Sequence, residues 1–209
     1  MCSSDLINVT LAGDVASWEY SLNGGTTWNA GTGTSFSMAS NTSYAIGQIQ
    51  VRQTDTAGNL SAAASNTVAI TEDSTVAAPS FALNSDTGSS NSDNITNDNV
   101  INVTLAGDVA SWEYSLNGGT TWTTGTGTSF SMASDTSYAI GDIQVRQTDA
   151  AGNTSAAVSN AAAITEDSTA PAAPSFALNS DTGSSNSDNI TNDNVINVTL
   201  AGDAASWEY

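Results

Sequence analysis

The stretch SWEYSLNGGTTW, Ser111–Trp122, decides the fold: Trp112, Tyr114 and Leu116 alternate with Ser111, Glu113 and Ser115 until Asn117-Gly118-Gly119 interrupts the pattern. A period of two marks a half-buried β-strand, and an Asn-Gly-Gly break after it marks a hairpin turn. Outward from this hairpin the same alternation recurs at short intervals. Upstream, PSFALN (Pro79–Asn84) reads as a first strand and VINVTLAG (Val100–Gly107) as a second, with Ile101, Val103 and Leu105 on one face. Downstream, SFSMA (Ser129–Ala133) turns Phe130 and Met132 inward, and DIQVRQTD (Asp142–Asp149) turns Ile143 and Val145 inward and Arg146 outward. The turn AAGN follows, and SNAAAITED (Ser159–Asp167) reads as one closing strand. No stretch sustains a helical period. Seven or so strands in about 95 residues predict an all-β immunoglobulin-like sandwich.

The hairpin stretch also occurs at Ser17–Trp28, and this repetition organises the chain. Ile7–Thr75 matches Ile101–Thr169 at an offset of 94, with nine of 69 positions different and 60 identical. Pro79–Tyr114 matches Pro174–Tyr209 at an offset of 95, with one difference in 36, Val109 against Ala204. The extra residue lies in STAPAAPSF, where the earlier copy reads STVAAPSF. The expected organisation is a repeat lacking its first strand at 1–75, a complete repeat at 76–169 and a repeat truncated at its C-terminus at 170–209. It describes a piece of a longer, elongated tandem array. Residues 1–6, MCSSDL, stand where the second copy reads ITNDNV and are expected to be foreign to the repeat; they resemble the translated end of a sequencing adapter.

Composition narrows the chemistry. Across 209 residues, 21 Asp and Glu face two arginines and no lysine, a net charge of −19. Such a surface repels nucleic acid and anionic membranes. With 39% apolar residues and five tryptophans in alternating patterns, a packed fold is expected despite the acidity. No apolar run approaches the roughly 20 residues of a membrane span, so no direct membrane insertion is expected. Without histidine or lysine, Ser-His-Asp, Cys-His, Schiff-base and histidine-zinc chemistry are excluded, and no enzymatic activity is expected. Cys2 is the only cysteine and lies outside the repeats, which excludes a disulfide framework.

In order, APSFALNSDTGSSNSDNITND (Ala78–Asp98), WEYSLNGGTTW, VRQTDAAGNTSA (Val145–Ala156) and ITEDST (Ile164–Thr169) resemble the bacterial Ig-like repeats of very large surface adhesins, including those exported by type 1 secretion. The resemblance covers Ile7–Tyr209. It implies structural extender modules outside the cell, at a bacterial surface, free of cysteine and often stiffened by calcium, with neighbouring repeats as partners and the distal target unknown.

The carboxylates can be placed from strand direction. With the strands lettered A to G in chain order from PSFALN (A) and VINVTLAG (B), a sandwich whose chain enters at one pole and leaves at the other has its A–B loop at the exit pole and its B–C and F–G loops at the entry pole. The first linker then collects Glu72 and Asp73 with Asp108 of the next B–C loop and Asp149 of the next F–G loop. The second collects Asp86 and Asp93, with Asp98 in the same loop, Glu166, Asp167 and Asp203. Carboxylates about 4 Å apart repel by roughly 4 kcal/mol at an effective dielectric near 20, so converging sets call for a cation. Ligands that are all oxygen select a hard ion, and flexible sets of six to eight favour calcium. The alternative is that these residues only form turns, with Asp149 capping the DAAGN turn through its own backbone. Asp135 and Asp142, replaced by Asn41 and Gln48 in the first copy, are expected to be surface residues. Trp122 and the Thr-rich loop after it offer a second class of function, a carbohydrate- or surface-binding module.

Overall fold

The computed structural model describes residues 6–202 and 204–209, so the expectation for residues 1–6 falls, Leu6 apart, outside the described residues. The described residues form strands without helices. The first repeat contains β1 (Leu6–Asn8), β2 (Val15–Ser21), β3 (Asn29–Ala30), β4 (Ser35–Ser37), β5 (Thr42–Tyr44), β6 (Gln50–Asp55), β7 (Ala64–Ser65) and β8 (Ile70–Glu72). The second contains β9 (Ser80–Leu83), β10 (Ile95–Thr96), β11 (Val100–Thr104), β12 (Val109–Ser115), β13 (Thr123–Thr124), β14 (Ser129–Ser131), β15 (Thr136–Tyr138), β16 (Gln144–Asp149), β17 (Val158–Ser159) and β18 (Ile164–Glu166). Last come β19 (Ser175–Leu178) and β20 (Ile196–Thr199). The chain gathers into two compact units. One takes the residues up to Ala77 together with Ala106–Ala110 and Gln147–Ser155; the other takes Ala78–Leu105, Ser111–Arg146 and Ala156–Tyr209.

The sheets of the second repeat run β14-β11-β9, β13-β12-β16-β17 and β10-β18-β15. Their inward faces supply the core named by the alternation: Ile101, Val103, Trp112, Phe130, Met132, Ile143 and Val145, joined by Tyr138 and Ile164. Leu105, Tyr114 and Leu116 pack against it half-buried. Tyr114 stacks on Phe130 with centroids 4.2 Å apart, and Trp112 tilts against Phe130 at 6.2 Å. Offset and tilted aromatic pairs add about 0.5–1.5 kcal/mol beyond the area they bury.

Trp112 is held by backbone as well as by packing. Its indole N–H donates to Gly127 O at 3.1 Å, and a Cβ added at Gly125 would lie 2.2 Å from the ring. Gly125 is therefore the floor of the indole's seat. The hairpin turn is built around Ser115, whose buried hydroxyl accepts from Asn117 N at 3.3 Å and Gly119 N at 2.9 Å; Gly118 and Gly119 take positive φ.

The expectation of one closing strand is corrected. SNAAAITED divides into β17, which pairs with β16, and β18, which pairs with β15 and β10. Asn160 is the pivot between them. Its buried carboxamide accepts from Gly141 N and Ile143 N and donates to Ala139 O and Ala162 O, which satisfies the backbone where the chain leaves one sheet for the next. The A–B loop also contains more structure than its composition suggests, because β10 runs parallel to β18.

The first repeat forms the sheets β1-β4, β3-β2-β6-β7 and β5-β8. Its fully buried set is smaller: Trp18, Phe36, Tyr44 and Ile49, with Ile7, Val9 and Val51 only half-buried. In the second repeat β11 lies between β14 and β9, whereas among the described residues β1 pairs with β4 alone. β19 and β20 pair with the register of β9 and β11, Phe176 opposite Val198 as Phe81 lies opposite Val103. The stretch Ala204–Tyr209, which repeats the sequence of β12 with Ala204 in place of Val109, forms no strand; β12 itself is held between β13 and β16.

Candidate metal centre

Three segments of the first compact unit meet at one point: the linker after β8, the loop before β12 and the C-terminal end of β16. Each brings one carboxylate. One oxygen from each of Asp73, Asp108 and Asp149 lies within 4.8 Å of the other two. Asp108 is exposed, Asp73 half-buried and Asp149 buried at 2% exposure.

The F–G turn sets the position of Asp149. Its Oδ1 accepts from Asn153 N at 2.8 Å and its Oδ2 from Asn153 Nδ2 at 2.9 Å. Gly152 N donates to Asp149 O at 3.2 Å, and Gly152 takes the positive φ of 93° that the tight return demands. The expected turn cap is therefore present, and the same side chain also joins the cluster. Burial pushes the Asp149 carboxyl up, but hydrogen bonds from Asn153 and from the backbone of Ala151 and Gly152 outweigh it and hold the pKa below the ordinary 3.8. Asn153 Nδ2 also donates to Asp73 O at 2.9 Å, so one amide aligns the linker with the turn.

No arginine neutralises the cluster. Among the described residues the side-chain ion pairs are Arg52–Glu19 at 2.8 Å and Arg146–Glu113 at 2.7 Å. Each guanidinium also lies over an indole, Arg52 on Trp28 at 3.8 Å and Arg146 on Trp122 at 4.0 Å. That contact covers one face of Trp122, the residue on which a carbohydrate platform would depend.

The donor set fits a hard cation. Oxygens bound to one calcium at about 2.4 Å cannot stand more than about 4.8 Å apart, and the three carboxylates meet this limit. They supply three of the six to eight oxygens that calcium takes; backbone carbonyls and water would complete the shell.

The remaining expected ligands are placed differently. Glu72 is buried, and its Oε2 accepts from Asn41 N at 2.5 Å, so it is not one of the three. Glu166 repeats this arrangement with Asp135 N at 2.5 Å and is 1% exposed. Both clamp the turn before β5 or β15, where Asn41 and Asp135 take positive φ. Asp86 Oδ2 accepts from Asn94 N, while its Oδ1 is buried with no hydrogen-bond partner, as is Asp181 Oδ1 at the corresponding place in the next copy. Asp93 Oδ1 caps Ile95 N, and Asp98 caps Val100 N and takes Asn84 Nδ2. Asp167 donates its backbone N–H to Thr96 O. Asp203 lies outside the described residues.

Asp135 and Asp142 do more than coat the surface. Asp135 accepts from the backbone of Ser168 and Thr169, and the Thr169 hydroxyl foremost holds its pKa low; Asn41 makes the same type of contact to Ser74 and Thr75. Asp142 Oδ2 accepts from Ala139 N as Gln48 Oε1 accepts from Ala45 N. Both exchanges between the copies thus keep the acceptor.

Residues 72–167 match the sequence pattern of the bacterial Ig-like domain family. This segment is similar to a bacterial Ig-like domain. The match spans all three clustered carboxylates, and the first repeat shares 60 of 69 positions with the corresponding part of the chain. No curated protein matches the chain in sequence. In structure, the chain is similar to the fibronectin(III)-like modules of Clostridium thermocellum CbhA, with 14% identity, 78% of this chain and 87% of that one covered, and a TM-score of 0.38. It is also similar to a Ca2+-stabilized adhesin that helps an Antarctic bacterium reach out and bind ice, with 20% identity, 80% of this chain covered and a TM-score of 0.33. The chain spans 44% of that adhesin's length. Among the described residues no helix is long and apolar enough to cross a membrane.

Proposed function

We propose that these Ig-like repeats are structural, non-enzymatic extender modules of a bacterial cell-surface adhesin, working outside the cell and rigidified by calcium at their linkers. The observation that carries this reading is the meeting of Asp73, Asp108 and Asp149 within 4.8 Å in a chain whose two arginines are paired elsewhere. Calcium held there would tie the linker to the B–C and F–G loops. Without it the three charges repel across the same gap. Extracellular modules bind calcium with dissociation constants of about 10⁻⁴ to 10⁻³ M, so an external medium fills such sites and a cytoplasm does not. For the second linker the proposed set is Asp86, with its unpartnered oxygen, and Asp93, Asp167 and Asp203; Glu72 and Glu166 support these loops from within.

Calcium titration of the full chain by calorimetry tests the reading. Saturable binding is expected, and Asp73→Asn with Asp108→Asn together should remove the first-linker site from it. Heats indistinguishable from dilution would refute it.

A further inference from the structure

Gln147 is a buried carboxamide that neither the core nor the carboxylate cluster uses. It is 0% exposed, on β16 two residues before Asp149. Its Nε2 donates to Ala77 O at 2.9 Å and to Ala106 O at 2.6 Å, and its Oε1 accepts from Ala106 N at 3.1 Å. Its backbone is fixed in turn, with Gln147 N donating to Ser155 Oγ at 3.1 Å and Ser155 N to Gln147 O at 2.9 Å. All of these residues belong to the first compact unit.

We propose that Gln147 is an ion-independent clamp that fixes the linker at Ala77 to the B–C loop at Ala106. A buried amide is tolerated because its donors and acceptor are satisfied, so a linker that swings away leaves a buried N–H without a partner. The linker carries Asp73 and the B–C loop carries Asp108, so the clamp also sets the spacing of two of the three carboxylates. It acts without the cation and does not rest on the calcium reading. In the first repeat, Gln53 Oε1 accepts from Ala12 N at 3.1 Å, the same contact to the same loop. In the following linker Ala172 corresponds to Ala77, but the insertion of one residue places it five residues after Asp167 instead of the four between Asp73 and Ala77.

The test uses the full chain in chelator and compares wild type with Gln147→Leu and Gln147→Glu. Amide exchange is followed at Ala106, Val103 and Val145, together with elastase cleavage at Val76–Ala78. In Gln147→Leu, exchange at Ala106 and cleavage of the linker are expected to rise about tenfold or more, while the core amides of Val103 and Val145 stay protected. Gln147→Glu keeps the acceptor for Ala106 N and loses both donors, so it should open the linker and leave the Ala106 amide protected. Wild-type rates in both variants would overturn the proposal, as would acceleration matched by the core amides. Absence of any calcium effect on wild type, with the Gln147 effect intact, would remove the calcium reading and leave the clamp standing.

Discussion

Gly125 and Trp112 show how one backbone position sets a core. A methyl group at Gly125 would sit inside the indole, so Gly125→Ala must displace Trp112 or bend the strand it follows. Overpacking of this kind costs about 1–3 kcal/mol, and denaturant unfolding should show a loss at the upper end of that range. Gly31→Ala should do the same against Trp18. Asp55 offers a cleaner pH test than Asp149 because it caps its turn without linker carboxylates. Hydrogen bonds from the Asn59 side chain foremost, and from backbone N–H groups, hold its pKa below the ordinary 3.8. A depressed folded pKa stabilises the protein above the unfolded value, and the contribution disappears as pH falls through the folded value. Asp55→Ala should therefore melt below wild type at neutral pH, with the gap closing below about pH 3.8. Inward apolar residues such as Ile101 and Val145 were legible from alternation. Gln147 and Asn153 were not: Gln147 shares the inward parity of Val145, but nothing in the sequence names the linker carbonyl it bonds.

At the scale of elements, the strands that pair with close sequence neighbours were the readable ones. The hairpin from β12 to β13 declares itself in Asn117-Gly118-Gly119. The division of the last strand does not, because SNAAAITED contains neither glycine nor proline to mark the change of sheet. Asn160 makes the change possible by satisfying four backbone groups, a role that composition cannot reveal. Asn160→Leu removes the side-chain partner of Ile143 N, Ala139 O and Ala162 O and leaves Gly141 N only the backbone oxygen of residue 160, and it is expected to destabilise the chain by at least about 2 kcal/mol in chemical denaturation. A loss below about 0.5 kcal/mol would mean that water replaces the side chain. The A–B loop likewise hid β10, whose partner β18 lies 70 residues further along in register, Ile95 against Thr165.

For the whole molecule, repetition supplied the organisation and charge supplied the question. A chain at net −19 with both arginines committed to glutamates and indoles has no internal remedy where carboxylates converge. One oxygen from each of Asp73, Asp108 and Asp149 lies within 4.8 Å of the other two. Glu72, expected beside them, turns inward at the end of β8 and accepts from Asn41 N. The measurement that bears most directly on the extender reading is the melting temperature of the full chain with millimolar calcium and with excess chelator, for wild type and for Asp73→Asn/Asp108→Asn. Calcium should raise the melting temperature of wild type by several degrees, and the double variant should lose the share of that response owed to the first linker while melting in chelator at or above wild type, since its repulsion is relieved. Identical wild-type melting in calcium and in chelator would contradict a calcium-stabilised linker.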